Sequence, residues 1–119
     1  MSRLKVGIAS FDDMRARTMA IARGKYKPRR GEPKVWFTSM ESVAKVLSDK
    51  NRALLDLIAR THPGSIGELA ALSGRAKSNL SRTLKTMERY GLVRLRQGER
   101  GKLVPSVRYR HVVLDVPIG

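Results

Sequence analysis

The chain has 119 residues, with 25 Lys and Arg against 10 Asp and Glu, a formal net charge of +15 and no cysteine. This length suits one domain whose core needs no staples, burying roughly two-thirds of the surface its unfolded form exposes. The missing cysteines exclude a disulfide framework, a thiolate nucleophile and a Cys-type zinc site. The excess of positive charge points to phosphate-rich polymers ahead of an anionic membrane surface.

The opening "MSRLKVGIASF" has no apolar region of signal-peptide length and no cleavage pattern. No apolar run approaches the roughly 18 residues of a membrane span. A cytoplasmic protein with no membrane association is therefore expected.

In "RLKVGIAS", Leu4, Val6 and Ile8 alternate with Lys5 and Gly7, the period of a half-buried strand. Ser10 reads as a helix cap, and from Phe11 to Arg23 the residues Phe11, Met14, Thr18, Ile21 and Ala22 fall on one face, with Gly24 as the stop. "GKYKPRRGEP", residues 24 to 33, combines Gly, Pro and a run of Lys and Arg without apolar period. It reads as a solvated linker, with an arm along a phosphate backbone or in a minor groove as the alternative. Residues 1–33 thus form a strand, a helix and a basic linker, and residues 34–119 a second unit.

That second unit begins with "KVWF", extended, with Val35 and Phe37 on one side. Thr38 and Glu41 have capping-box spacing, in which each side chain satisfies a free backbone N–H of the other, and predict a helix to about Leu47. Ser48 caps a second, from Asp49 to about Thr61, with Leu54, Leu55 and Ile58 as its inner stripe and "HPG" as its end. Ser65 and Glu68 open a third, with Ile66, Leu69 and Ala70 inward and Gly74 as its stop. A fourth follows a tight turn, which is the layout of a helix-turn-helix.

The fourth helix, from Lys77 to Tyr90, places Leu80, Leu84 and Met87 on one face. Lys77, Ser78, Ser81, Arg82 and Lys85 fall largely on the other, with Asn79 near the N-terminal end. Only Glu88 breaks the positive run. A B-form major groove admits one helix and shows base edges between two rows of phosphates. Arg can pair with guanine and Asn with adenine through two bonds each, while Ser and Lys take phosphates and set the register.

"YGLVRLRQGERGKLVPSVRY" reads as two strands around a Gly-bounded turn, with Val93 and Leu95 inward, Arg94 and Arg96 outward, and Leu103, Val107 and Tyr109 inward on the return. Pro105 marks an edge strand. The tip carries Arg96, Arg100 and Lys102 against Glu99, as in a wing that grips the neighbouring backbone or minor groove.

From "SDKNRALLDLIA" through "SIGELAALSGRAKSNLSRTLKTMERYGLVRL", over residues 48 to about 109, the chain resembles the winged helix-turn-helix of MarR-like transcriptional regulators. "LSRTLKTMERYGLV" is the most specific part. With "IARGKYKPRRGEPKVWFTSMESVAKVLS" included, it is similar to a smaller prokaryotic group of DNA-binding regulators, some of which are thought to pair with a neighbouring toxin as its antitoxin. The sequence departs from the MarR pattern at Ala76, where a Ser or Thr cap is usual, and at Arg75, where an apolar residue is usual. It also lacks the long terminal helices that build that family's dimer and help enclose its ligand pocket, so no small-molecule effector is expected.

The fold expected is therefore α+β, a winged helix-turn-helix with an N-terminal strand-helix extension. The function expected is sequence-specific binding of double-stranded DNA by a homodimeric repressor, with half-sites about 34 Å, roughly ten base pairs, apart. Dimerisation is implied by the resemblance and by the leftover segments "LKVGIAS" and "RHVVLDVP", which could pair as strands within or between chains. The competing expectation is an antitoxin that neutralises a partner protein and autoregulates its operon. Aromatic residues make up only 5% of the chain, too few for a single-strand stacking platform. His62 and His111 lack a carboxylate or His at metal-ligand spacing, and "GERGKL" has the wrong spacing for a phosphate loop. No enzyme, metal or cofactor is expected.

Overall fold

Strand β1 (Arg3–Ile8) buries Leu4 and Val6 and is the middle of a three-stranded parallel sheet in the order β2-β1-β5 in the computed structural model, which describes residues 2–118. Its neighbours are β2 (Val35–Phe37) and β5 (His111–Asp115). The registers pair Val6 with Val35 and Ile8 with Phe37 on one side, and Leu4 with Val112 and Val6 with Leu114 on the other. The segments "LKVGIAS" and "RHVVLDVP" thus pair within the chain. Parallel neighbours require a crossover of a dozen or more residues. Helix α1 (Phe11–Ala22) and the basic linker supply it between β1 and β2.

Ser10 caps α1 as expected, accepting from the Asp13 N–H at 3.1 Å. The apolar face read on this helix does not enter the core, because no α1 residue is buried and Phe11 is 77% exposed. The helix is held instead through Arg17, which donates to Glu32 at 2.9 Å and lies over the rings of Tyr26 and Trp36. The Tyr26 hydroxyl also bonds to Glu32, so the end of the linker folds back on α1. Trp36 in turn lies over Gly7. A Cβ there would sit 2.5 Å from the Trp36 ring and 2.9 Å from Pro33, which only glycine avoids.

Helix α2 (Met40–Val46) starts one residue later than the capping-box reading placed it. Thr38 stays outside the helix, and the reciprocal pair is Ser39 with Ser42, at 3.1 and 3.3 Å. The short Ser42 side chain reaches back to the cap N–H, the role assigned to Glu41. Val43 and Val46 turn inward.

Helix α3 (Asp49–Thr61) is capped by Ser48 and ends at His62 in the left-handed region. Helix α4 (Ile66–Ser73) is capped by Ser65, with the Glu68 carboxylate accepting from the Gly64 N–H rather than from the cap itself. Gly74, at φ +73°, closes α4 with a backbone geometry that L side chains rarely adopt, and the chain turns directly into α5 (Lys77–Arg89). Leu80, Leu84 and Met87 are fully buried, in one cluster with Leu54, Ile58, Ile66 and Leu69.

The wing is an antiparallel pair, β3 (Val93–Gln97) with β4 (Leu103–Val107), in which Leu95 faces Pro105. Glu88 accepts from the Leu95 N–H at 3.1 Å, so the single acid in the positive run of α5 ties that helix to β3. Phe37 stacks on Tyr90 with ring centroids 4.1 Å apart and planes 8° from parallel, joining the sheet to the end of α5. Asp56 on α3 accepts from Arg60 and Arg110, which hold its carboxyl below the usual carboxylate range and tie the β4–β5 connection to α3.

The architecture is the expected α+β winged helix-turn-helix with a strand-helix extension. The extension is integral to the core: Leu4 and Val6 from residues 1–33 share one buried cluster with Phe37, Val43 and Leu54 from residues 34–119.

Candidate nucleic-acid interface

The buried Leu80, Leu84 and Met87 fix the rotation of α5 about its axis, and with it the side chains that face outward. Ser78, Arg82 and Lys85 are exposed on the outer face, and Arg89 extends that face by a further turn. Lys77 and Ser81 lie toward the wing. With Lys102 they line one cleft of about 310 Å³ between the start of α4, α5 and the tip loop of the wing. The structure thus brings two of the predicted helix residues to one of the predicted wing residues.

Asn79 is placed differently from the base-reading role given to it. Its Oδ1 accepts from Arg75 Nε at 2.9 Å and Nη2 at 2.8 Å. The same guanidinium donates to Asn51 on α3 at 3.2 Å and to Thr83 at 3.3 Å. Two-bond pairing with adenine needs both the oxygen and the nitrogen of the amide. Asn79 could offer both only after Arg75 had let go. The unusual Arg at position 75 is therefore a strut that ties the turn before α5 to α3. Ala76 gives α5 no side-chain cap, and its first N–H groups have no side-chain cap partner there.

At the wing tip, a short 3₁₀ turn (Glu99–Gly101) places Arg100 at φ +59° and Gly101 at φ +71°. The Gly98 N–H donates to the Lys102 carbonyl at 2.6 Å and the Lys102 N–H to Glu99 at 3.2 Å, fixing the loop. Arg100 and Lys102 line a separate cleft beside the start of α4, together with Ser65, Glu68 and Glu99. Arg96 is exposed on β3, apart from this group.

A second basic cleft, of about 420 Å³, runs along the other flank of α5. Lys45 of α2, Arg75 and Arg89 line it with Ser42, Thr83 and Thr86, and no carboxylate does. The sequence reading missed Lys45 and Arg89. Lys45 sits on a helix read only for its cap and its extent, and nothing local to it shows that α2 packs beside α5. The result is a cationic helix face bracketed by cations on both flanks, which suits a polymer whose readable edges run between two anionic rows.

Among the described residues no group of His, Cys, Asp and Glu is arranged to hold a metal ion, and no helix is long and apolar enough to cross a membrane.

No curated protein sequence matches the chain. A solved structure, described as that of "the predicted DNA-binding transcriptional regulator from E. coli", is 18% identical, with a TM-score of 0.48, over 85% of this chain and 86% of that one. The HVO_A0114 family matches residues 46–114, which run from the end of α2 through α3, α4, α5 and the wing into β5. With more than half its length so matched, the chain belongs to the HVO_A0114 family.

Proposed function

We propose that this protein is a non-enzymatic transcriptional regulator of the cytoplasm that binds duplex DNA sequence-specifically as a homodimer and represses by occupying promoter sequence. The observation that carries the reading is the outer face of α5, with Ser78, Arg82 and Lys85 exposed between two cation-lined clefts. Arg82 reads a base edge, and Lys77, Lys85, Arg96, Arg100 and Lys102 neutralise phosphates. Lys45 and Arg89 join them on the far flank. The likeness to MarR-like regulators is confined to the three helices and the wing.

Two substitutions separate the roles. Arg82→Ala is expected to relax preference at one base step, with a loss of about 1–3 kcal/mol on the preferred site, if the guanidinium pairs with guanine. Selection from random duplexes checks this, and an unchanged preference would reject the assignment. Lys102→Ala is expected to weaken all sequences alike and to lower the slope of log affinity against log salt by about one. Unaltered affinity would mean that the wing does not clamp the backbone.

A second reading, an antitoxin that also regulates its own operon, is favoured by apolar surface that DNA binding leaves unused: Phe11 and Met19 of α1 are 77% and 44% exposed. Stable co-purification with the product of an adjacent gene, lost in Phe11→Asp, would support it.

A further inference from the structure

Strand β5 ends the parallel sheet, and no strand among the described residues pairs with its outer side. Natural sheets protect such edges by keeping them short or by placing Lys, Pro or a bulge on them. The opposite edge, β2, follows this rule, being three residues long and preceded by Pro33 and Lys34. β4 carries Pro105. β5 has no Lys, Arg or Pro within it; Arg110 and Pro117 lie outside its ends, and its one carboxylate, Asp115, sits at the last position, 3.8 Å from Lys5 of β1. The strand is five residues long and runs Val112, Val113, Leu114 at its centre.

Both faces of the strand expose apolar surface. Val113 is 40% and Leu114 37% exposed, and Val116 just beyond is 39% exposed. On the inner face, Val112 and Leu114 border an open groove of about 490 Å³ whose apolar wall includes Leu55, Val107 and Tyr109.

We propose that β5 is the dimer strand: two copies join edge to edge through antiparallel β5 strands about a two-fold axis at Val113, giving one continuous sheet of six strands, three from each copy. This deepens the homodimeric part of the function proposed above by naming its surface. The occupant is a second copy because the strand is complementary to itself in that register. Val113 meets Val113, Val112 meets Leu114, and Asp115 falls opposite His111 instead of another Asp115.

In this arrangement the inner faces of both strands lie on one side of the sheet. The Val112 and Leu114 side chains of the two copies then form one apolar strip over the two grooves. Charge allows the approach here. The chain carries +15, which opposes self-association, but residues 111–118 contain no Lys or Arg.

Sedimentation equilibrium of the full chain, without DNA, tests the proposal. The wild type is expected at dimer mass. Val113→Lys sets two ammonium groups face to face on the axis, and the mass should halve at the same protein concentration, while the circular dichroism stays that of a folded chain and the melting temperature, which rises with protein concentration in a dimer, becomes independent of it. Val113→Cys provides a second readout, since the chain has no other cysteine. Directly opposed residues on antiparallel strands lie within disulfide reach. Mild oxidation should therefore link this variant into covalent dimers far faster than it links Asp12→Cys on exposed α1. A monomeric wild type, a Val113→Lys variant that remains dimeric, or equal cross-linking of the two cysteine variants would overturn it. Duplex retention at low salt is measured separately, so loss of DNA binding and loss of the dimer are distinguishable.

Discussion

Leu84→Ala is expected to lower the stability of the fold by about 2–5 kcal/mol, measured by denaturant or thermal unfolding. Leu84 is fully buried at the middle of the inner face of α5, between Leu80 and Met87, in the cluster that joins α5 to α3 and α4. Truncation removes the transfer free energy of the side chain and leaves a cavity that packed helices close only in part. Small domains have a total stability of about 5–15 kcal/mol, so this one change would consume a large share of it. The adjacent Lys85→Ala provides the contrast. Lys85 is exposed, so stability should move by less than about 0.5 kcal/mol while DNA affinity falls. A neutral effect of Leu84→Ala would mean that α5 is rotated, and the outer face assigned to it would turn with it.

Phe37→Ala carries an expectation of similar size, a loss of about 3–5 kcal/mol. Phe37 is 1% exposed at the end of β2 and lies flat against Tyr90, the residue that closes α5. Its removal opens the joint between the parallel sheet and the helical unit. The unfolding transition should remain single, because Leu4, Val6 and Phe37 share one core with Leu54, Leu80 and Leu84. Two separate transitions in the wild type, or a loss below about 1 kcal/mol in the variant, would show that the sheet and the helical unit melt independently.

Much of this architecture was legible in the sequence wherever the signal was local. Ser10, Ser48 and Ser65 could be read as caps because a cap requires only a side-chain oxygen and the N–H groups of the following turn. Gly74 could be read as a stop because few other residues adopt its φ. The rotation of α5 followed from the spacing of Leu80, Leu84 and Met87. That β1 and β5 could pair was read from their apolar segments, but the parallel direction, the choice of pairing within the chain and the place of β2 beside β1 were not legible, since no register leaves a mark in the residues that connect the strands. Without these, α1 and the basic linker read as an appendage, whereas they form the crossover that parallel neighbours require. The face predicted for α1 failed because spacing shows which residues align, not whether anything lies opposite them.

The candidate interface divides in the same way. Exposure of Ser78, Arg82 and Lys85 follows from helical phase alone. Arg75 reaches Asn79 across only four residues, but its bond to Asn51, 24 residues away, forms because α3 packs beside the turn before α5, and spacing alone does not show it. The flanking cations Lys45 and Arg89 likewise come together only through tertiary packing.

The most direct test of the central claim is the affinity of the wild-type protein for a duplex oligonucleotide, measured across a range of salt concentrations and beside the matching single strand. Each phosphate neutralised on B-form DNA contributes about −0.9 to the slope of log affinity against log salt. With cations on the outer face of α5 and along both of its flanks, retention of duplex at low salt is predicted, with a slope of several units and preference for the duplex over the single strand. Failure of duplexes of every sequence to bind at low ionic strength, or affinity that does not change with salt, would contradict the account.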